Sequence, residues 1–251
     1  MTIDVAIHQG VGELVIDAPP VNALDNAGWK AFAAEMTALG RHPDVHCVVI
    51  RAEGRGFQCG VDVKELARDG RLIVELNRGC FDSFAAVYDC PVPTIAAVHG
   101  FCIGGGIGIA GSADFVIAAE DATFSLPEID RGALGAATHL MRMVGVQKAR
   151  RMLYTCEAID AAELHRLGGC ESVVPVDQLR EEAMRVARSI ASKSPRALRL
   201  AKTALNGIEL LDVKKSYRYE QGFTLELYTT PDSQEARDAF VEKREAKFRE
   251  D

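Results

Sequence analysis

The 251-residue sequence contains no apolar run approaching the ~20 residues needed to cross a bilayer. Its opening, MTIDVAIHQG, has the character of neither a signal nor a transit peptide. An excess of basic residues is missing too: 29 Lys and Arg face 36 Asp and Glu, a net charge of −7. That balance disfavours nucleic acid and anionic membrane surfaces as partners. Cys-x-x-Cys pairs are absent, and the cysteines (Cys47, Cys59, Cys80, Cys90, Cys102, Cys156, Cys170) are odd in number and scattered. A disulfide framework or zinc site is therefore not expected, and a reducing cytoplasm fits best. No cluster with metal-ligand spacing is visible, so neither a metal nor a separate cofactor is expected. Low-complexity tracts are lacking, as is a clear sequence repeat.

What is present is an ordinary globular composition, 48% hydrophobic and 26% charged, in a chain long enough for one large domain or a domain with an appendage. TIDVAIH and ELVIDA read as an opening hairpin. HCVVIRA, PTIAAVHG and DFVIAAED read as strands buried on both faces, because they hardly alternate. Helical patterns lie between them, at NAGWKAFAAEMTALG and IVELNRGCFDSFAAVYDC. After residue 135 helices dominate, punctuated by Ser194-Pro195 and Pro231.

The segment GFCIGGGIGIAG (100–111) contains Gly106-x-Gly108-x-x-Gly111, the spacing of a dinucleotide-binding turn. That fold needs a helix of several turns and an acid about 20 residues on. Here DFVIAAE begins three residues after Gly111, leaving room for about two helical turns, and Glu120 and Asp121 come too early. The glycines then serve close backbone packing, or they present N–H groups at a helix N-terminus to an oxyanion. A second Gly-rich strand-to-helix turn, RAEGRGFQCGVDVKEL (51–66), holds Asp62 as its N-cap. On a parallel sheet both turns open at one edge, and one donor from each can grip a single carbonyl oxygen.

With these residues in view, the chain resembles the crotonase family, the enoyl-CoA hydratases and isomerases. PPVNAL (19–24), GRGFQCGVDVKE (54–65), PVPTIAAVHGFCIGGGIGIAGSADFVIAAEDATFSLPEI (91–129), SPRALRLAKTALN (194–206) and DAFVEKREAKF (238–248) match in family order. The resemblance implies an α/β fold, a spiral of β-β-α turns over residues 1–190, with a helical C-terminal trimerisation region over 191–251. It implies an acyl-CoA substrate, CoA being part of the substrate, and a homotrimer or hexamer. It assigns the oxyanion donors to the backbone N–H groups of Val61 and Gly105. Of the two glutamates that hydratases of the family use, it leaves one: Glu128, in SLPEID. The other would stand at Gly108, where no carboxylate exists. That argues against ordinary addition of water to an enoyl thioester, although isomerases manage with one base.

A further departure is RGALGAATHLMRMVG (131–145), about three residues shorter than the family's usual segment. It brings Arg131, a surface ion-pair residue or a grip for a carboxylate or ketone, and His139, a packed helix residue or a proton shuttle. RGALGAATHL, LNRGCF (76–81) and SYRYEQGFTLEL (216–227) resemble the actinobacterial branch that opens a ring of a methyl-dioxo-hexahydroindene-carboxyl-CoA in steroid breakdown. In that chemistry one base activates water against a ring ketone, and an enolate forms in the oxyanion hole. A hydratase or isomerase working through Glu128 alone, or a non-catalytic acyl-CoA-binding member, is the alternative. Ala23, Lys64, Phe240 and Lys243 are the CoA-contact candidates, the last two by resemblance to a segment that crosses a subunit boundary. KFRED at the end is expected to be solvated.

Overall fold

A computed structural model describes residues 2–209 and 213–246; KFRED (247–251) lies outside them. The opening hairpin forms as expected, β1 (Thr2–His8) antiparallel to β2 (Val11–Asp17). Helix α1 (Asn26–Arg41) follows, capped by Asp25, whose carboxylate accepts the Gly28 N–H at 2.8 Å. Then come β3 (Cys47–Ala52), α2 (Val63–Arg68), α3 (Ile73–Tyr88), β4 (Thr94–Val98), β5 (Phe101–Ile103), α4 (Gly105–Ser112), β6 (Phe115–Ala119) and β7 (Thr123–Ser125). The second half runs through α5 (Ala137–Val144), α6 (Val146–Thr155), β8 (Ile159–Asp160), α7 (Ala161–Arg166), β9 (Ser172–Val174) and α8 (Leu179–Ala191). It closes with α9 (Pro195–Ile208), α10 (Val213–Leu227) and α11 (Pro231–Glu242). Ser194 and Thr230 cap α9 and α11, each with proline in the first turn. Among the described residues no helix is long and apolar enough to cross a membrane.

Six strands form one sheet in the order β1-β2-β3-β4-β6-β9, parallel from β2 onward. The lack of alternation in its central strands has the expected cause. Val48, Ile50, Ala96, Val98, Val116 and Ala118 face one core; Cys47, Val49, Ile95, Ala97, Ile117 and Ala119 face another, which α8 covers with Leu179, Ala183, Met184 and Ala187. Both faces are dry, so both sets of alternate positions are apolar.

The repetition that the sequence hides is visible in space. After each central strand the chain lays down a second, shorter extended piece before its helix. Leu24 bridges Val61, Gln58 bridges Cys102, and β5 runs parallel to β7, which pairs with β8. These pieces stack into a second wall, the β-β-α spiral of the crotonase-like fold, and the helical region follows it. Strands β5, β8 and β9, of three, two and three residues, are too short to carry a periodic pattern, which is why the sequence reading passes over them.

Candidate active site

Consecutive turns of the spiral place the two Gly-rich segments side by side. In the Leu24–Val61 bridge it is Leu24 that bonds, its N–H donating to Gly60 O (3.0 Å) and its carbonyl accepting from Asp62 N–H (2.9 Å). Val61, between them, turns its own N–H the other way, and among the described residues that group meets no acceptor. Gly105 opens α4, so its N–H belongs to the first turn, where no carbonyl is available within the helix. A Cβ built on Gly60 would lie 3.4 Å from Gly105 N, and one on Gly105 would lie 3.2 Å from Gly60 Cα. The two turns are therefore in van der Waals contact, with the Val61 nitrogen two bonds from that Cα. Gly104, at φ +57°, supplies the left-handed step that turns the chain into α4.

A buried side chain that the sequence did not point to holds the first turn. The Gln58 carboxamide donates from Nε2 to Gly60 O (2.7 Å) and accepts the Gly60 N–H on Oε1 (2.8 Å). This two-point clamp occupies Gly60 and leaves the Val61 N–H as the outward donor. At the other end of the loop the Asp62 carboxylate accepts the Lys64 N–H at 2.9 Å, the capping role expected of it.

Glu128 reaches this place from the turn after β7. Its Oε1 would lie 2.5 Å from a Cβ on Gly104, and its Oε2 is shielded from solvent. Val61, Gly105, Glu128 and Arg131 line one pocket, walled also by α3 and α10. The Arg131 guanidinium lies 4.6 Å over the Phe240 ring of the same chain. That stack needs no second subunit. The short segment bearing Arg131 is clasped from the C-terminal side, where Ser233 Oγ donates to Gly132 O and Thr224 Oγ1 to Leu134 O. Cys59 also lines the pocket; burial pushes its thiol up, against the opposing pull of Arg131, so it stays protonated at neutral pH.

The place where hydratases of this kind carry a second acid is filled. A Cβ on Gly108 would fall 2.1 Å from Phe84 Cζ. That ring packs edge-on against Trp29, at 5.6 Å between centroids, and against His139 at 4.9 Å. His139 is fully buried in this aromatic cluster, with Tyr217 5.0 Å away, and does not line the Glu128 pocket. Burial depresses its pKa to about 3, so the ring is neutral at physiological pH, and packing accounts for its position. Ala23, Lys64, Phe240 and Lys243 lie outside the pocket lining. Ala23 is half-buried beside the Leu24 bridge, whereas Lys64 and Lys243 are exposed. Among the described residues no group of three or more His, Cys, Asp or Glu is placed to hold a metal ion.

The chain as a whole is similar to known proteins. A family model described as enoyl-CoA hydratase/isomerase matches residues 6–251. A Mycobacterium tuberculosis protein named (7aS)-7a-methyl-1,5-dioxo-2,3,5,6,7,7a-hexahydro-1H-indene-carboxyl-CoA hydrolase is 52% identical over 236 residues, covering 93% of this chain and 96% of that protein. Its namesake from Rhodococcus jostii is 51% identical over 235 residues, with coverage of 93% and 91%. Among solved structures, an enoyl-CoA hydratase/isomerase from Xanthobacter autotrophicus superimposes with a TM-score of 0.88 at 29% identity, covering 99% of this chain and 98% of that one.

Proposed function

The chain belongs to the enoyl-CoA hydratase/isomerase family, the crotonases, and is an acyl-CoA enzyme; on that premise we propose that it hydrolyses a carbon–carbon bond, opening a ring beside a ketone in a cyclic keto acyl-CoA of steroid breakdown. The observation that carries this reading is that, among the described residues, Glu128 is the one carboxylate lining the pocket, beside the Val61 and Gly105 N–H groups, with Phe84 in the space a second acid would need.

The thioester oxygen accepts the Val61 and Gly105 N–H bonds. Glu128 takes a proton from water as the oxygen of that water adds to the ring ketone. The tetrahedral adduct collapses, and the bond from the former ketone carbon to its ring neighbour breaks. The electron pair passes along the conjugated system to the thioester oxygen, whose enolate charge the two amides hold; one such donor contributes ~10²–10³ in rate. Protonated Glu128 returns the proton to the carbanion carbon. One water is consumed: one of its hydrogens ends on carbon, and the former ketone becomes a carboxylic acid that ionises to a carboxylate, its proton passing to solvent. Arg131 first polarises the ketone and then pairs with that carboxylate. Hydration of an enoyl thioester needs an acid and a base on the same face; this site offers one group for both.

CoA contacts at Ala23, Lys64, Phe240 and Lys243 belong to the same proposal, as does a homotrimeric or hexameric assembly. Exposed Leu200 and Leu205 on α9 favour assembly, being 61% and 59% accessible in the single chain. A cytoplasmic setting is supported by seven cysteines, all free. The test supplies crotonyl-CoA and the CoA ester of a bicyclic dione acid and follows both by mass. The dione ester gains 18 mass units; Glu128→Gln abolishes that gain while the ester still binds. Fast hydration of crotonyl-CoA with an intact dione ring sinks the proposal.

A further inference from the structure

Helix α3 turns Ile73, Leu76, Asn77, Cys80 and Phe84 inward, a stripe at helical spacing in which every member but one is apolar. The exception, Asn77, is 8% exposed and lines the Glu128 pocket beside Ile73, Cys80 and Phe84. Its backbone carbonyl accepts a hydrogen bond from Gln221 of α10, which pins this turn of the helix. The side-chain Nδ2 is buried and, among the described residues, has no hydrogen-bond partner. Thr224, the neighbouring polar group on α10, already gives its hydroxyl hydrogen to Leu134 O. An amide donor buried without a partner is destabilising, and in native proteins such groups are rare enough to demand a reason.

We propose that Asn77 is a specificity-determining donor that bonds an oxo group of the acyl portion remote from the thioester. The inference rests on the acyl-CoA reading of this pocket. The pocket lining supports it: Val61 and Gly105, Glu128 and Arg131, and Asn77 of α3 come from separate elements around one cavity. A neutral N–H donor on an apolar surface suits a ketone oxygen. It also rejects an all-carbon acyl group, which would seal the donor in without a partner.

The experiment separates this inference from the reaction. Affinities are measured in the Glu128→Gln background for two CoA thioesters, a bicyclic dione acid and the same skeleton with its ring oxo groups reduced to methylene. The dione ester binds about ten- to hundredfold more tightly, and adding Asn77→Leu erases that preference. Affinity for the reduced ester and the melting temperature do not fall, because an orphaned amide has been replaced by a side chain of similar volume. If Asn77→Leu fails to fold, Asn77→Met, whose flexible side chain adapts to the space and offers no donor, erases the preference in its place. A preference that persists in these variants overturns the assignment, as does equal weakening of both esters with a lowered melting temperature. Ring opening by the unsubstituted enzyme is followed in parallel. An intact ring with an Asn77-dependent preference sinks the hydrolase proposal alone; ring opening with an Asn77-independent preference sinks this one alone.

Discussion

Replacing Gly108 probes the claim that the second acid of a hydratase has no seat here. A Cβ at this position falls 2.1, 2.4 and 2.5 Å from three carbons of the Phe84 ring, whereas carbons in contact sit at about 3.5–4.0 Å. The ring must therefore withdraw by roughly 1.5 Å. It is 3% exposed, with Trp29, His139 and Tyr217 at centroid distances of 5.6, 4.9 and 5.1 Å, so it can withdraw only by displacing them or by entering the Glu128 pocket that it lines. Overpacking of this kind costs about 1–3 kcal/mol; replacing glycine by alanine within a helix recovers ~0.5–1 kcal/mol. Taking the middle of each range, Gly108→Ala should lose about 1 kcal/mol, a fall of roughly 2–4 °C in melting temperature for a chain of this size. The scan is run at fixed protein concentration, because assembly shifts the midpoint. In a Phe84→Leu background the same substitution should cost less, with a coupling of about 1 kcal/mol. Gly108→Glu adds a carboxylate to the same crowded spot and should confer no hydration of crotonyl-CoA. An unchanged melting temperature for Gly108→Ala with no coupling to Phe84, or a soluble Gly108→Glu that hydrates crotonyl-CoA, refutes the reasoning.

Gln58→Leu removes both arms of the clamp on Gly60 and loosens the Val61 donor; kcat should fall about tenfold or more with KM little changed, and a rise in KM alone would contradict a positioning role. Arg131→Met keeps the stem on Phe240 and removes the charge, so kcat/KM for a keto acyl-CoA should drop roughly ten- to hundredfold, with Arg131→Lys recovering part; equal rates in all three forms dismiss the guanidinium. The folded-state pKa of His139, about 3, lies below its ordinary 6.5, so the neutral buried ring contributes stability that is intact above pH 6.5 and is withdrawn as pH falls toward 3. His139→Phe should flatten that acid limb of the unfolding curve and leave the pH–rate profile in place; a displaced profile would mean the imidazole takes part in turnover. The Glu13 carboxylate, held at about 2 by the Arg180 and Arg51 guanidiniums against the cost of burial, likewise contributes stability that is present above pH 4.5 and lost toward pH 2. Glu13→Gln should remove it, as acid unfolding midpoints will show.

Local chemistry was legible residue by residue. Unalternating runs at 46–52, 93–100 and 114–121 identified strands covered on both faces, because burial on both sides is written into every position of such a strand. The three-residue gap after Gly111 argued against a dinucleotide turn, since helix length is a matter of counting, and α4 has eight residues. The bare Gly108 and the lone Glu128 were visible as letters. What tertiary structure alone decided lies between residues far apart in the chain. His139 stood near the pocket in the sequence, yet Phe84 and Tyr217, 55 and 78 positions away, enclose it in an aromatic cluster. Gln58 and Asn77 look like any polar residues of a loop and a helix. Only packing shows one amide bonded at both ends and the other, among the described residues, left with a free donor. Periodicity and turn chemistry act within a few residues and so are inscribed in order along the chain. Which side chain fills a void, and which polar atom is left over, depends on contacts made after the chain has wound on itself, and no stretch of sequence contains them.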